Sequence, residues 1–192
     1  MSSQTKDKMI SGAAGVLAQR GLQGTSFTEV LEVTGAPRGS IYHHFPGGKD
    51  EMIGEAIGLL AEAVAARIRA TEATRPEQVS DAFTEGWREF ARATDLKAVC
   101  AMSAATVGAG ADAQGLLPAV AAAFNSWRDA LAEAYERTGV KKADSRRLAM
   151  TTVATLEGAL IIARAQQSME PFDAVQRDLA AMARSAGSDG SA

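Results

Sequence analysis

Between Gln4 and Arg20 the apolar residues Ile10, Ala13, Ala14 and Leu17 recur at three- and four-residue intervals. That spacing predicts one buried stripe on a helix, which Gly21 closes. A second pattern opens at Ser26 and Glu29, a Ser-x-x-Glu capping box, and carries Phe27, Val30 and Leu31 on one face. Thr34-Gly35-Ala36-Pro37 ends it. Gly35 takes the left-handed conformation that closes a helix, and the fixed φ of Pro37 suits the first turn of the next. The third helix, roughly Arg38 to His44, turns Ile41 and Phe45 back to the second and leaves Arg38, Ser40, Tyr42, His43 and His44 for its outer side and ends. Two short helices around a four-residue turn predict a helix-turn-helix, which lays its second helix in the major groove of DNA.

Downstream, the pattern stays helical. From Lys49 to about Ala73, Met52, Ile53, Ala56, Ile57, Leu60, Val64 and Ile68 form the inner face of a helix about 37 Å long, at 1.5 Å per residue. Glu77 to Ala93 follows Pro76, with Val79, Phe83, Trp87 and Phe90 as its stripe, and a shorter helix is expected around Leu96 to Ala105. The glycine-rich stretch Val107 to Gly115 reads as flexible. Its Gly108-x-Gly110 is not a dinucleotide loop, because no strand precedes it and the third glycine falls at Gly115. Pro118 opens a helix with Val120, Phe124, Trp127, Leu131 and Tyr135 inside and Gly139 as its stop; Asp144 to about Gln167 forms another. Pro171 starts the last, with Phe172, Val175, Leu179 and Met182 repeating, before a tail, SAGSDGSA, expected to be disordered. The prediction is an all-α chain of about nine helices.

Composition agrees: alanine is abundant and aromatic residues make up only 5% of the 192 positions. A single cysteine, Cys100, excludes an internal disulfide and points to a reducing compartment. It reads as a small buried apolar residue, with thiol sensing as the alternative. The amino terminus lacks a signal-peptide core and no stretch approaches eighteen uninterrupted apolar residues, so a cytoplasmic protein with no membrane partner is expected. The net charge of −3 is unevenly spread: residues 1 to 49 hold Lys6, Lys8, Arg20, Arg38 and Lys49 against Asp7, Glu29 and Glu32, which leaves the head at +2 and the remainder at −5. So weak a basic footprint needs helix N-termini and a second subunit to hold phosphates, and predicts salt-dependent binding.

Enzymatic chemistry finds no support. The only histidines, His43 and His44, are adjacent, and no nucleophile elbow, metal motif or phosphate loop occurs. No cofactor or metal is implied.

From about Lys6 to Met52 the chain resembles the TetR family of bacterial transcriptional repressors, through Gly21, the G-A-P-R-G turn, and I-Y-H-H-F followed by Lys49. Two features depart from the family pattern. Pro46-Gly47-Gly48 is one residue longer than the shorter family form, and Pro37 stands where many relatives carry serine. The E-G-A-L run at Glu157 to Leu160 and the F-P-G-G-K linker look like the branch that includes the LmrA and YxaF repressors.

The resemblance implies three segments: a DNA-binding head at 1–48, a helical effector-binding and dimerisation body at 49–186, and a tail at 187–192. It implies a homodimer on a double-stranded, pseudo-palindromic operator, with half-sites about 34 to 36 Å or a multiple of that apart. A small, mainly hydrophobic effector would release it. DNA contacts are expected from Thr25, Ser26 and Thr28 near the second helix, from Arg38, Gly39, Ser40, Tyr42, His43 and His44, and from Lys49. Arginine at such a position reaches guanine or phosphate. Phe83, Trp87, Phe90, Met102, Phe124, Trp127 and Met150 are expected either to fill the core or to line the effector pocket. Glu157 is either a satisfied carboxylate at a packing interface or a ligand-orienting acid. The dimer seam is expected from Ala154, Leu156, Gly158, Ile161, Val175, Leu179 and Met182, where small side chains let helices approach. The alternative function is a helical ligand- or protein-binding module without sequence-specific DNA recognition.

Overall fold

The computed structural model describes residues 2–109 and 115–188, which form nine α-helices and no strand. In chain order these are α1 (Ser2–Arg20), α2 (Phe27–Thr34), α3 (Arg38–His44), α4 (Lys49–Arg69), α5 (Pro76–Ala93), α6 (Ala101–Gly108), α7 (Leu117–Arg137), α8 (Lys142–Gln166) and α9 (Glu170–Ser188). The expected all-α architecture holds, and so do the glycine stops: Gly21, Gly35 and Gly139 have φ of 70°, 63° and 93°, where a side chain would be strained.

α6 runs on to Gly108, taking in Val107 and Gly108 of the stretch expected to be flexible, and three other boundaries differ most from the hydrophobic pattern. α4 ends at Arg69 rather than Ala73, so it is about 31 Å long. The carbonyls of Arg69 and of Thr71, just past the helix, accept from the Arg137 guanidinium at 3.3 and 3.4 Å, and that of Arg67 from the Thr71 hydroxyl at 3.3 Å. Further on, Pro76 holds Arg75 extended at φ −133°, ψ 145°. α6 starts at Ala101, five residues beyond Leu96, because Asp95 and Leu96 both adopt left-handed backbone (φ 50° and 55°) in the turn that ends α5. Leu96 donates its N–H back to Ala91 at 2.9 Å. Lastly, Ser185 to Ser188 belong to α9 instead of a disordered tail. Ala183 and Ala186 are buried, and Gly187 lies so near Pro76 that a Cβ would sit 2.8 Å from its Cγ. The rest of the expected tail, 189–192, and residues 110–114 of the glycine-rich stretch lie outside the described residues.

The chain divides into two compact units, Met1–Glu62 with Val99–Ala123, and Ala63–Ala98 with Phe124–Ala192. In the first, Met9, Ile10, Ala13, Ala14 and Val16 of α1 close over Val30 of α2, Ile41 of α3, Phe45, and Met52 and Ala56 of α4. The segment before α6 joins this unit directly, Val99 donating its N–H to the Ala18 carbonyl at 3.0 Å.

In the second unit α5, α8 and α9 pack on one another, and a chain of buried hydroxyls links α5, α7 and α8. Thr152 donates to the Leu148 carbonyl at 2.8 Å, so it accepts from the Tyr135 hydroxyl at 3.1 Å, which in turn accepts from Ser80 at 2.8 Å. Every hydroxyl in the ladder therefore has a defined direction. Burial pushes the Tyr135 phenol above its ordinary pKa of 10.0, although the hydrogen bond it accepts from Ser80 favours the ionised form.

Tyr135→Phe is expected to lower unfolding free energy by about 1–2 kcal/mol, measured by urea denaturation at pH 7. A phenol whose folded pKa lies above its unfolded one gives stability that is complete below about pH 10 and lost as pH rises through the folded value. The wild type should therefore weaken more steeply than Tyr135→Phe across that alkaline range.

Candidate functional site

The turn at residues 21–26 positions α2. Gly21 donates its N–H to Leu17 at 3.0 Å, and the turn folds back so tightly that a Cβ on Gly24 would lie 2.6 Å from the Arg20 carbonyl oxygen. Ser26 caps α2, its Oγ accepting from the Glu29 N–H at 3.2 Å. Only half of the predicted capping box forms. The Glu29 carboxylate pairs with Arg20 and does not return to the Ser26 backbone. Thr25, expected to touch DNA, is fully buried, and its hydroxyl donates to the Gly21 carbonyl at 2.8 Å. It is a turn residue with no surface to offer a phosphate. Thr28, one position into α2, is exposed.

α3 is presented by a turn that uses the side chains on either side of it. Gly35 donates to Leu31 at 2.8 Å, and the Thr34 hydroxyl donates to Val30 at 2.6 Å while accepting from the Ala36 N–H at 3.4 Å. Pro37 is the residue before the helix, at φ −64° and ψ 131°. Ile41 and Phe45 are buried at 0% and 1% exposure, which anchors the inner face. On the outer face Arg38, Gly39 and His43 are exposed, His44 and Ser40 are half-buried, and Tyr42 is 71% exposed. The Tyr42 ring stands edge-on to Phe27, centroids 5.4 Å apart, so its hydroxyl is held outward from a fixed base. The Ser40 hydroxyl donates to the Pro37 carbonyl at 2.6 Å and keeps its lone pairs. No described residue holds the Arg38 guanidinium. Gly39 meets nothing within 4 Å of where a Cβ would be, so nothing in the chain's own packing requires a glycine there.

The head's positive charge is more committed than the sequence count implies. Lys6 pairs with Glu55 at 2.7 Å and lies 5.5 Å over the Phe45 ring, and Arg20 pairs with Glu29. Lys49 is half-buried and donates to the Leu22 carbonyl at 3.4 Å. Lys8 and Arg38 are exposed without such partners among the described residues. The Lys6 pairing joins residues 49 positions apart, which helical periodicity does not register.

In the second unit Phe83, Trp87, Phe90, Phe124 and Trp127 form one aromatic cluster. Trp87 meets Phe83, Phe90 and Trp127 edge-to-face at 6.2, 6.5 and 6.1 Å, and Trp127 meets Phe124 at 5.8 Å. Met102 is buried in α6, within the first unit. Met150, expected among the ligand contacts, is half-exposed on α8, because its neighbours Leu148 and Ala149 take the inner face. Glu157 is half-buried on the same helix.

The seam residues also divide. Leu156 and Leu179 are 0% and 1% exposed and belong to the chain's own core, so they present no surface to a second subunit. Ala154, Ile161 and Met182 are exposed, and Gly158 and Val175 half-buried. Between α8 and α9 runs an open, mainly apolar groove of about 480 Å³, lined among others by Ala154, Gly158, Ile162, Pro171 and Val175. α8 is long and apolar enough, by length and composition, to cross a membrane, but 44% of its most apolar window is buried in the chain. Its hydropathy comes from two faces, the core side and the groove side.

Comparison with known proteins gives this geometry a context. Residues 9–56 match the family of bacterial regulatory proteins, tetR family, and residues 76–178 match the transcriptional regulator LmrA/YxaF-like, C-terminal domain. Over 179 residues the chain is 35% identical to the HTH-type transcriptional regulator Rv0196 of Mycobacterium tuberculosis, covering 91% of each protein. It is 25% identical over 173 residues to the HTH-type transcriptional regulator LmrA of Bacillus subtilis, covering 88% of this chain and 90% of that one. In fold it is similar to the regulatory protein TetR from Rhodobacter sphaeroides, at a TM-score of 0.77 and 19% identity, covering 92% of this chain and 97% of that one. A TetR transcriptional regulator from Chloroflexus aurantiacus matches at a TM-score of 0.76 and 24% identity over 94% of each. With both its head and its body matched in this way, the chain belongs to the TetR family of bacterial transcriptional regulators, in the LmrA/YxaF-like branch, and is a DNA-binding helix-turn-helix protein rather than an enzyme.

Proposed function

We propose that the chain is a ligand-responsive repressor that binds a pseudo-palindromic operator as a homodimer and leaves it when a small, mainly hydrophobic effector binds. One observation carries the reading of the head: α3 buries Ile41 and Phe45 and turns Arg38, Gly39, Tyr42 and His43 to solvent, with no partner for the Arg38 guanidinium among the described residues. Arg38 takes the base-edge or phosphate role, Tyr42, His43 and His44 grip phosphates, and Ser26, Thr28 and Lys49 frame them. Thr25 leaves the set expected from the sequence because it is buried.

Two features of the body support the rest. The exposed apolar residues Ile161, Ile162 and Met182 of α8 and α9, with Ile162 lining the groove, suit a second copy of the same pair of helices. The aromatic cluster of α5 and α7 offers an apolar, cation-tolerant lining for an effector. α4 is unbroken and contributes residues to both compact units. The effector must prefer the form that does not bind DNA, since equal affinity for both forms shifts nothing. A protein that acts this way works in the cytoplasm, where the chromosome is.

Fluorescence anisotropy with the DNA upstream of the chain's own gene should show binding that weakens steeply with salt. Arg38→Ala should weaken it by roughly 1–3 kcal/mol while changing urea stability by less than about 0.5 kcal/mol. Absence of wild-type binding in dilute buffer would instead leave a ligand- or protein-binding module. Ile161→Glu places a charge on the proposed seam and should yield monomers in sedimentation velocity, with operator binding lost; a dimer that survives this change puts the interface elsewhere.

A further inference from the structure

α1 and α2 pack tightly against each other at Gly12 and Thr34. A Cβ on Gly12 would fall 2.3 Å from the Thr34 Cγ2 methyl, well inside any real carbon–carbon contact, and 3.5 Å from Val33. A flexible side chain would swing away from such a collision, but Thr34 is not free to do so. It is 5% exposed, and its hydroxyl is engaged twice, donating to Val30 at 2.6 Å and accepting from Ala36 at 3.4 Å. On a β-branched residue one χ1 angle sets both branches. The bonds that hold the hydroxyl over the end of α2 therefore hold the methyl against α1. Rotating it out would release the Ala36 N–H, in the turn that ends one residue before Arg38 begins α3.

From this geometry we infer that Gly12 and Thr34 form a positioning lock for the recognition helix. α1 carries a bare backbone where the Thr34 methyl at the end of α2 lies against it, and Thr34 converts that approach into a fixed exit angle for the Thr34–Pro37 turn. Neither residue touches DNA. Gly12 lies two turns from Lys6 and Thr34 is buried, so their effect on operator reading passes through the placement of α3. The inference rests on the proposal that α3 reads an operator.

The test is a mutant cycle on the full-length protein with three readouts: affinity for the upstream DNA, affinity for an unrelated duplex of equal length, and melting temperature. Gly12→Ala should weaken specific binding at least tenfold, with binding to the unrelated duplex and the slope of log affinity against log salt unchanged, because no phosphate contact is lost. Thr34→Ser keeps the hydroxyl and removes only the methyl, so the Gly12→Ala/Thr34→Ser protein should recover to within about threefold of Thr34→Ser alone. The double variant also reads the lock if Gly12→Ala by itself does not fold. Gly12→Ala binding like the wild type, or a double variant that regains its melting temperature but not its specificity, overturns the inference. A wild type that binds neither duplex defeats the operator reading itself and removes the task the lock would serve.

Discussion

A helix of seven residues cannot hold itself together in water. Nucleating the first turn fixes several residues for a single hydrogen bond, and isolated helices shorter than about 12 residues are marginal even in favourable sequences. α3 is such a helix. It persists because Ile41 and Phe45 enter a core built by α1, α2 and α4, each such burial contributing about 1.5–3 kcal/mol. Lys6 closes the lid over Phe45 and is itself held by Glu55. The reading face of α3 is thus a by-product of its anchoring. With Ile41 and Phe45 fixed, the residues between and before them have one direction left in which to point.

The same constraint accounts for the economy of charge around the helix. A head with few cations spends two of them on internal ion pairs, Lys6 with Glu55 and Arg20 with Glu29, and turns a third, Lys49, to a backbone carbonyl. Those contacts keep α1, α2 and α4 in register around the turn at residues 21–26. That leaves Lys8 on α1 and Arg38, at the backbone N–H groups that open α3, exposed and without such contacts among the described residues.

Much of this was legible in the chain because it rests on local rules. Gly21, Gly35 and Gly139 mark helix ends through their own conformational freedom, and the 3.6-residue repeat places Ile41, Phe45 and Val79, Phe83 and Trp87 of α5 inside without knowledge of any neighbour. What was not legible depends on partners distant in sequence. The end of α4 is set by Arg137, 68 residues from the carbonyl it binds, and the late start of α6 by two left-handed residues that no glycine announces. Thr25 looks like a phosphate donor until Gly21 is seen to occupy its hydroxyl. Leu156 and Leu179 carry the apolar character expected of a seam, yet periodicity alone does not say which side of a two-faced helix meets its own chain. Met150 fails for the mirror-image reason: it is apolar, and it lies on the outer side.

Because no described residue leans on the Arg38 guanidinium, and Gly39 has open space around it, the exposed start of α3 is almost detached from the part of the molecule that folds. Gene duplicates of this scaffold are therefore free to diverge at 38 and 39 without first restoring lost stability. Drift at 12, 34, 41 or 45 has no such liberty.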